Sequence, residues 1–189
     1  MNATPFLIGQ KTILRPVHPS DAPIFTRWMN DPETRKYLLR RFPLTEMSEE
    51  AWIKKNAELS QHPTDLVFVI ETKDGNVPIG MMGLHRISWV DRNATTGTVL
   101  GEPESRGKGY ATDAKMTLLE YAFLTLGLHK VISHAFSANL KSIAYSKRCG
   151  YEVEAVLKDE RFQNGHFQHL TVLACFYDNW KKAKETMKR

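Results

Sequence analysis

Polar and apolar positions along this chain follow two distinct periods. Residues 12–16 and 66–70 are short β-prone runs, and 79–84 returns from a tight turn at Asp74-Gly75. Residues 95–100, 131–136 and 170–176 are further strands. Helical spacing takes over elsewhere. Ser20-Asp21-Ala22-Pro23 is a polar cap with proline in the first turn. It leads into a helix carrying Phe25, Trp28 and Met29 that stops near Asp31-Pro32. Residues 49–59 form a second helix candidate, with Trp52, Ile53, Ala57 and Leu59 as its apolar positions. In 111–126, Ala111, Ala114, Leu118, Ala122 and Leu126 lie near one face, and Gly127 is a natural stop. Residues 140–149 read as a helix between Asn139 as cap and Gly150 as stop. Asn164-Gly165 divides Arg161-Phe162 from the last run and marks a hairpin. The order βααβββαβαββ mixes hairpins with strand-helix-strand units. It predicts an α/β fold, a mixed central β-sheet flanked by helices.

The 189 residues fit one domain, 1–189, with a core over about 11–180. No apolar run approaches the roughly 20 residues of a membrane helix. Residues 1–10 lack the basic cluster and cleavage site of a secretory signal. The only cysteines, Cys149 and Cys175, are too few for a disulfide framework, and free thiols predict a cytoplasmic protein. The net charge of +5 is concentrated in a basic C-terminal tail, 181–189, where Lys181, Lys182, Lys184, Lys188 and Arg189 face only Glu185. Such a tail attracts polyanions or is simply a solvated helix end. With no zinc-finger spacing and no aromatic RNA-binding signature, no specific nucleic-acid binding is expected. No metal-ligand spacing is present either.

The chemistry is concentrated in Arg106-Gly107-Lys108-Gly109-Tyr110-Ala111, between a predicted strand and the longest predicted helix. Two glycines let backbone N–H groups approach a bound group. The helix that follows directs its unpaired first-turn N–H groups to the same spot, which makes an anion site suited to a pyrophosphate. The stretch is not a P-loop, because Gly109-Tyr110 follows Lys108 where Ser or Thr is needed. It is not a dinucleotide fingerprint, because Thr112 replaces the third glycine.

The loop resembles the Arg/Gln-x-x-Gly-x-Gly/Ala loop of the GNAT superfamily of N-acetyltransferases. Asn139-Leu140-Lys141-Ser142, followed by Lys147-Arg148-Cys149-Gly150-Tyr151, is similar to a second block of that superfamily. Leu14-Arg15-Pro16, Trp28-Met29-Asn30-Asp31-Pro32, and Glu154-Ala155-Val156-Leu157 with Asn164-Gly165 resemble its branch of ribosomal-protein N-terminal acetyltransferases. That branch also holds polyamine and antibiotic acetyltransferases. The resemblance spans roughly Lys11 to Trp180. It implies acetyl-CoA as cosubstrate, no metal, and direct transfer to an amine without an acyl-enzyme. Pantetheine would lie where two parallel strands, 95–100 and 131–136, splay apart. The N–H of Val99 or Leu100 would polarise the thioester oxygen. Arg106, Gly107, Lys108, Gly109, Tyr110 and Ala111 would hold the pyrophosphate, and Asn139 and Ser142 the pantetheine arm.

The chain departs from the superfamily at the catalytic positions. The tyrosine that protonates the leaving thiolate is Ser146 here, and Tyr145, one residue earlier, is expected to face elsewhere. Ser142 and Ser146, i and i+4 on one face, are the candidates to serve the sulfur. Thr95 and Thr96 stand where a strand carboxylate is common, which leaves Glu160 as a downstream candidate and His134 as a weaker one. The missing strand base favours an acceptor amine of low pKa, a protein or peptide N-terminal α-amine. The alternatives are a small-molecule amine (polyamine or aminoglycoside) or CoA binding without catalysis. A monomer or a homodimer is expected.

Overall fold

The computed structural model describes residues 4–57 and 61–187. Eight strands form one sheet: β1 (Leu7–Ile8), β2 (Thr12–Pro16), β3 (Leu66–Thr72), β4 (Pro78–Ser88), β5 (Asn93–Leu100), β6 (Lys130–Phe136), β7 (Glu152–Gln163) and β8 (His166–Phe176). Their spatial order is β1-β2-β3-β4-β5-β6-β8-β7. Every neighbouring pair is antiparallel except β5–β6, which is parallel. The helices are α1 (Ala22–Asn30), α2 (Pro32–Arg35), α3 (Glu46–Ala57), α4 (Tyr110–Leu124), α5 (Leu140–Arg148) and α6 (Tyr177–Met187).

The fold matches the expected mixed sheet and adds three elements: β1, the short α2, and α6, which absorbs most of the basic tail. The second predicted helix starts earlier, at Glu46, and its predicted end at Leu59 falls outside the described residues, as do Lys188 and Arg189. Asn164 and Gly165 form the β7–β8 turn with positive φ at both positions, as their pairing predicts. No helix among the described residues is long and apolar enough to cross a membrane.

The two faces of the sheet are covered differently. The larger core packs Leu118, Leu119, Ala122 and Phe123 of α4, with Trp180 of α6, against Leu84, Ala94, Val131 and Leu173. Trp180 Nε1 donates to Met116 O at 3.2 Å and fastens α6 to α4. On the opposite face a smaller cluster joins Phe25 and Trp28 of α1 and Ile53 of α3 to Val69 on β3. Beside it, the buried Arg15 guanidinium binds Asp21 through Nη1 and Nη2 at 2.8 Å each and Glu71 through Nε at 2.6 Å.

Candidate active site

The parallel pair opens into a cleft. Asn93, Ala94, Thr95 and Thr96 pair with Lys130, Val131, Ile132 and Ser133. Beyond that point β5 pairs only with β4, and β6 only with β8. The splay predicted for these two strands therefore begins after Thr96 and Ser133. Because the strands are parallel, the loops leaving both lie at the same edge of the sheet, where helices α4 and α5 begin.

Peptide groups alternate in direction along a strand. Gly101 N donates to Ile79 O at 3.0 Å, so the Val99 N–H also faces β4. The Leu100 N–H turns the other way, toward the cleft. Of the two expected donors, Leu100 is the open one and Val99 belongs to the sheet ladder.

Past β5, Gly107 and Gly109 both take positive φ (78° and 85°), and Gly109 is the N-cap of α4. No side chain caps this end, so the N–H groups of Tyr110, Ala111 and Thr112 remain unpaired, and the first helical bond runs from Asp113 N to Gly109 O. The Asp113 carboxylate would oppose an anion here, but it is turned away. It accepts from the N–H groups of Gln10, Lys11 and Thr12 and from the Thr12 hydroxyl at 2.7–3.0 Å. This docking brings in Lys11, whose Nζ donates to Lys108 O at 3.2 Å. Sequence reading missed Lys11, because the contact joins residues 97 positions apart. Arg106 Nη2 donates to Thr34 Oγ1 at 3.1 Å and to Leu100 O at 3.2 Å, tying the loop to α2 and to the end of β5.

The α4 and α5 side of the cleft corrects one expectation. Tyr145 does not face elsewhere: its hydroxyl lies 3.0 Å from Thr98 Oγ1, on the free arm of β5. Helical rotation fixes where Cβ points, but the long phenol reaches across to the strand. Burial raises its pKa well above the usual phenol value. Ser146 is buried, and its hydroxyl has no hydrogen-bond partner. Asn139 caps α5 by accepting from Ser142 N at 3.1 Å, and Ser142 is half-buried in the first turn of that helix. Below Thr98, Thr96 Oγ1 lies 3.1 Å from Tyr151 Oη and accepts from the buried Lys115 Nζ at 3.0 Å.

On the other face, Thr95, Gly97 and Val99 line β5 beneath the side covered by α1 and α3. Trp28 lies against Gly101, where a Cβ would meet the indole, and Trp28 Nε1 donates to Glu102 Oε1 at 2.8 Å. Glu160 is exposed on β7, which β8 separates from β6, and its charge acts on His134 of the free β6 arm. His134, on the free arm of β6, is held toward its neutral form by burial and then by Arg86 and Arg161, with Glu160 opposing. Burial pushes the Cys149 thiol up to about 11 and the Cys175 thiol up to about 12, so neither is a ready nucleophile.

The comparisons with known proteins agree with this architecture. The family described as "Acetyltransferase (GNAT) domain" matches residues 11–152. The chain is 30% identical over 162 residues to the uncharacterized N-acetyltransferase YoaA of Bacillus subtilis, covering 85% of this chain and 90% of that one. It is 35% identical over 101 residues to the spermidine N(1)-acetyltransferase of Vibrio cholerae, a match spanning 53% of this chain and 57% of that enzyme's length. It is 31% identical over 133 residues to the putative ribosomal N-acetyltransferase YdaF of Bacillus subtilis, covering 70% of this chain and 69% of that one. The crystal structure of spermidine N-acetyltransferase from Vibrio cholerae in complex with CoA and spermine shares the fold, with a TM-score of 0.82 at 24% identity over 90% of this chain and 98% of that one. The chain belongs to the GNAT acetyltransferase family. It is an acetyl-CoA-dependent N-acetyltransferase.

Proposed function

We propose that the chain acetylates a primary amine of a polyamine-type small molecule, with acetyl-CoA lying along the cleft between β5 and β6. The observation that carries the acceptor reading is Glu49. It is buried on α3, one turn before Ile53, and has no hydrogen bond or ion pair among the described residues. Burial raises its pKa, with Arg40 opposing. A partly desolvated carboxylate with no bonded cation, on a helix that packs with α1 over the Val69 face of the sheet, is available as a counter-charge for a polycationic chain. The spermidine acetyltransferases among the relatives support the same reading.

In this reading Gly107, Gly109 and the first N–H groups of α4 hold the pyrophosphate, with Lys108, Lys11 and Arg106 supplying positive charge. Asn139 and Ser142 border the pantetheine arm. The Leu100 N–H polarises the thioester carbonyl, and the Tyr145 hydroxyl protonates the departing thiolate, with the buried Ser146 hydroxyl behind it.

A second reading, transfer to a peptide α-amine, is favoured by the threonines of β5. No carboxylate lines that strand, and an α-amine of pKa about 7.7–8.0 is roughly a quarter neutral at pH 7.4, against on the order of 0.1% for an alkyl amine near 10.4. Thiol release with spermidine, an aminoglycoside and a free-N-terminus peptide as competing acceptors decides between them. Spermidine is expected to give the highest kcat/KM. Faster turnover of the peptide would overturn the polyamine reading in favour of the α-amine.

The cofactor part has its own test. Gly109→Val places a β-branched residue at φ 85°, which costs about 1–2 kcal/mol and obstructs the approach of phosphate oxygens. CoA affinity measured by calorimetry is expected to fall at least about tenfold, a loss of 1.4 kcal/mol, while the circular dichroism spectrum stays native. Unchanged affinity would remove the loop from the site.

A further inference from the structure

We propose that His85 takes the proton from the acceptor amine, held in its proton-accepting tautomer by Asp65. The proposal rests on the amine-acceptor reading above and supplies what that reading lacks, a base.

His85 pairs with Thr95 across β4 and β5, so both side chains lie on the face opposite Lys115 and Tyr145. Its Nδ1 is 2.9 Å from Asp65 Oδ1. A carboxylate only accepts hydrogen bonds, so in the neutral ring the proton sits on Nδ1 and Nε2 keeps its lone pair. Asp65 is itself held by the Thr64 hydroxyl, 2.9 Å from Oδ2. Both side chains of the dyad are 36% exposed, open enough for an acceptor to reach the ring.

The His85 ring rests on glycine backbone. Gly83 and Gly97 are cross-strand partners, and a Cβ at either would stand 3.0 or 3.4 Å from His85 Nε2. The absence of side chains at these two facing glycines lets the imidazole lie down against the sheet, with Nε2 over β5. Gly97 is the first residue of β5 beyond its last pair with β6, so Nε2 stands beside the mouth of the cleft. The charged and titratable groups around it are Asp65, Arg86, whose Nη2 donates to Thr95 Oγ1 at 3.4 Å, and His134 on the opposite arm, on which Arg161 and Glu160 of β7 also act. No carboxylate other than Asp65 is bonded to the ring, and Asp65 engages the far nitrogen.

The proton count closes. The acceptor arrives as R–NH3+ and gives one proton to Nε2, forming an imidazolium that Asp65 stabilises. The neutral amine attacks the thioester carbon; a C–N bond forms and the C–S bond breaks. The thiolate takes the Tyr145 proton, and the second proton lost by the nitrogen restores the phenol through solvent. His85 returns its proton to water.

His85→Ala is expected to lower kcat/KM for a primary alkyl amine about 100-fold or more, the lower range for a lost general base, with CoA affinity unchanged. The loss should shrink for acceptors of low pKa, shrink again at high pH where the amine deprotonates by itself, and be partly restored by added imidazole. His85→Gln keeps a polar group beside Asp65 but takes no proton, and should show the same loss if the alanine variant folds poorly. Asp65→Asn should shift the acid limb of the kcat/KM profile with a smaller loss. The acceptor used is whichever the wild type acetylates best. Failure of the wild type on spermidine therefore sinks only the polyamine assignment. Alanine and glutamine variants that bind CoA and keep wild-type kcat/KM and acid limb would overturn the role of His85.

Discussion

Replacing Lys115 with methionine is expected to stabilise the protein by about 3 kcal/mol at neutral pH. Lys115 is 1% exposed on α4. Its ammonium donates to Thr96 and lies 5.0 Å from the ring centroids of Tyr145 and Tyr151, with no carboxylate as partner. Two aromatic faces recover part of the desolvation cost but not all of it. Burial lowers its pKa from 10.5 to about 8. Between these values the unfolded chain binds more protons than the folded one, so the penalty is full below pH 8 and gone above 10.5. Methionine is unbranched and fits the same channel, and Thr96 keeps Tyr151 as a partner. Cys149 and Cys175 titrate in the opposite sense, because their raised folded values reduce stability as pH climbs past the usual thiol range. The diagnostic quantity is therefore the difference between variant and wild type in urea unfolding at pH 6, 8 and 10. That difference should be largest at pH 6 and shrink toward pH 10. A pH-independent difference would mean that Lys115 titrates alike in both states.

Arg15→Met should act in the opposite direction and cost about 3–5 kcal/mol. Arg15 is 5% exposed and, among the described residues, is the only cation bonded to Asp21 and Glu71, both of which are also buried. Asp21 retains the His18 N–H, but Glu71 would be left with a buried charge and no ion-pair partner. Thermal and urea unfolding at pH 7 should show the full loss. Replacing all three residues by apolar ones of similar size should return stability to near the wild-type value, because no uncompensated charge remains. A single substitution costing under about 1 kcal/mol would place Arg15 with surface ion pairs.

Much of the loop-and-helix geometry of the candidate site was legible because it is local. Two glycines, an uncapped helix start and the helix period lie within one continuous stretch from Arg106 to Leu124. The Asn139 cap and the Asn164-Gly165 turn are equally local. What was missed depends on contacts between distant segments or on side-chain reach. Lys11 reaches Lys108 only because Asp113 gathers the N-terminal backbone. His85 and Asp65 meet because β4 folds back along β3, and neither carries a spacing signal. Tyr145 was misassigned by an argument about helix faces that ignored the length of the phenol. The four residues of α2 are too few to establish a period, and in α6 the helical spacing of Tyr177, Trp180, Ala183 and Met187 was masked by the lysines, which read as a basic tail.

The single parallel pairing also has a consequence for how the chain reaches its final form. Strands β1 to β5 are neighbours in sequence order and can assemble as a meander. β6 reaches β5 by the crossover through α4, and the β7–β8 hairpin docks on β6 through β8. Pairings of this kind close large loops before any contact compensates the lost chain entropy, and they form slowly. The cleft between β5 and β6 thus depends on a non-local pairing, unlike the hairpins β3–β4, β4–β5 and β7–β8.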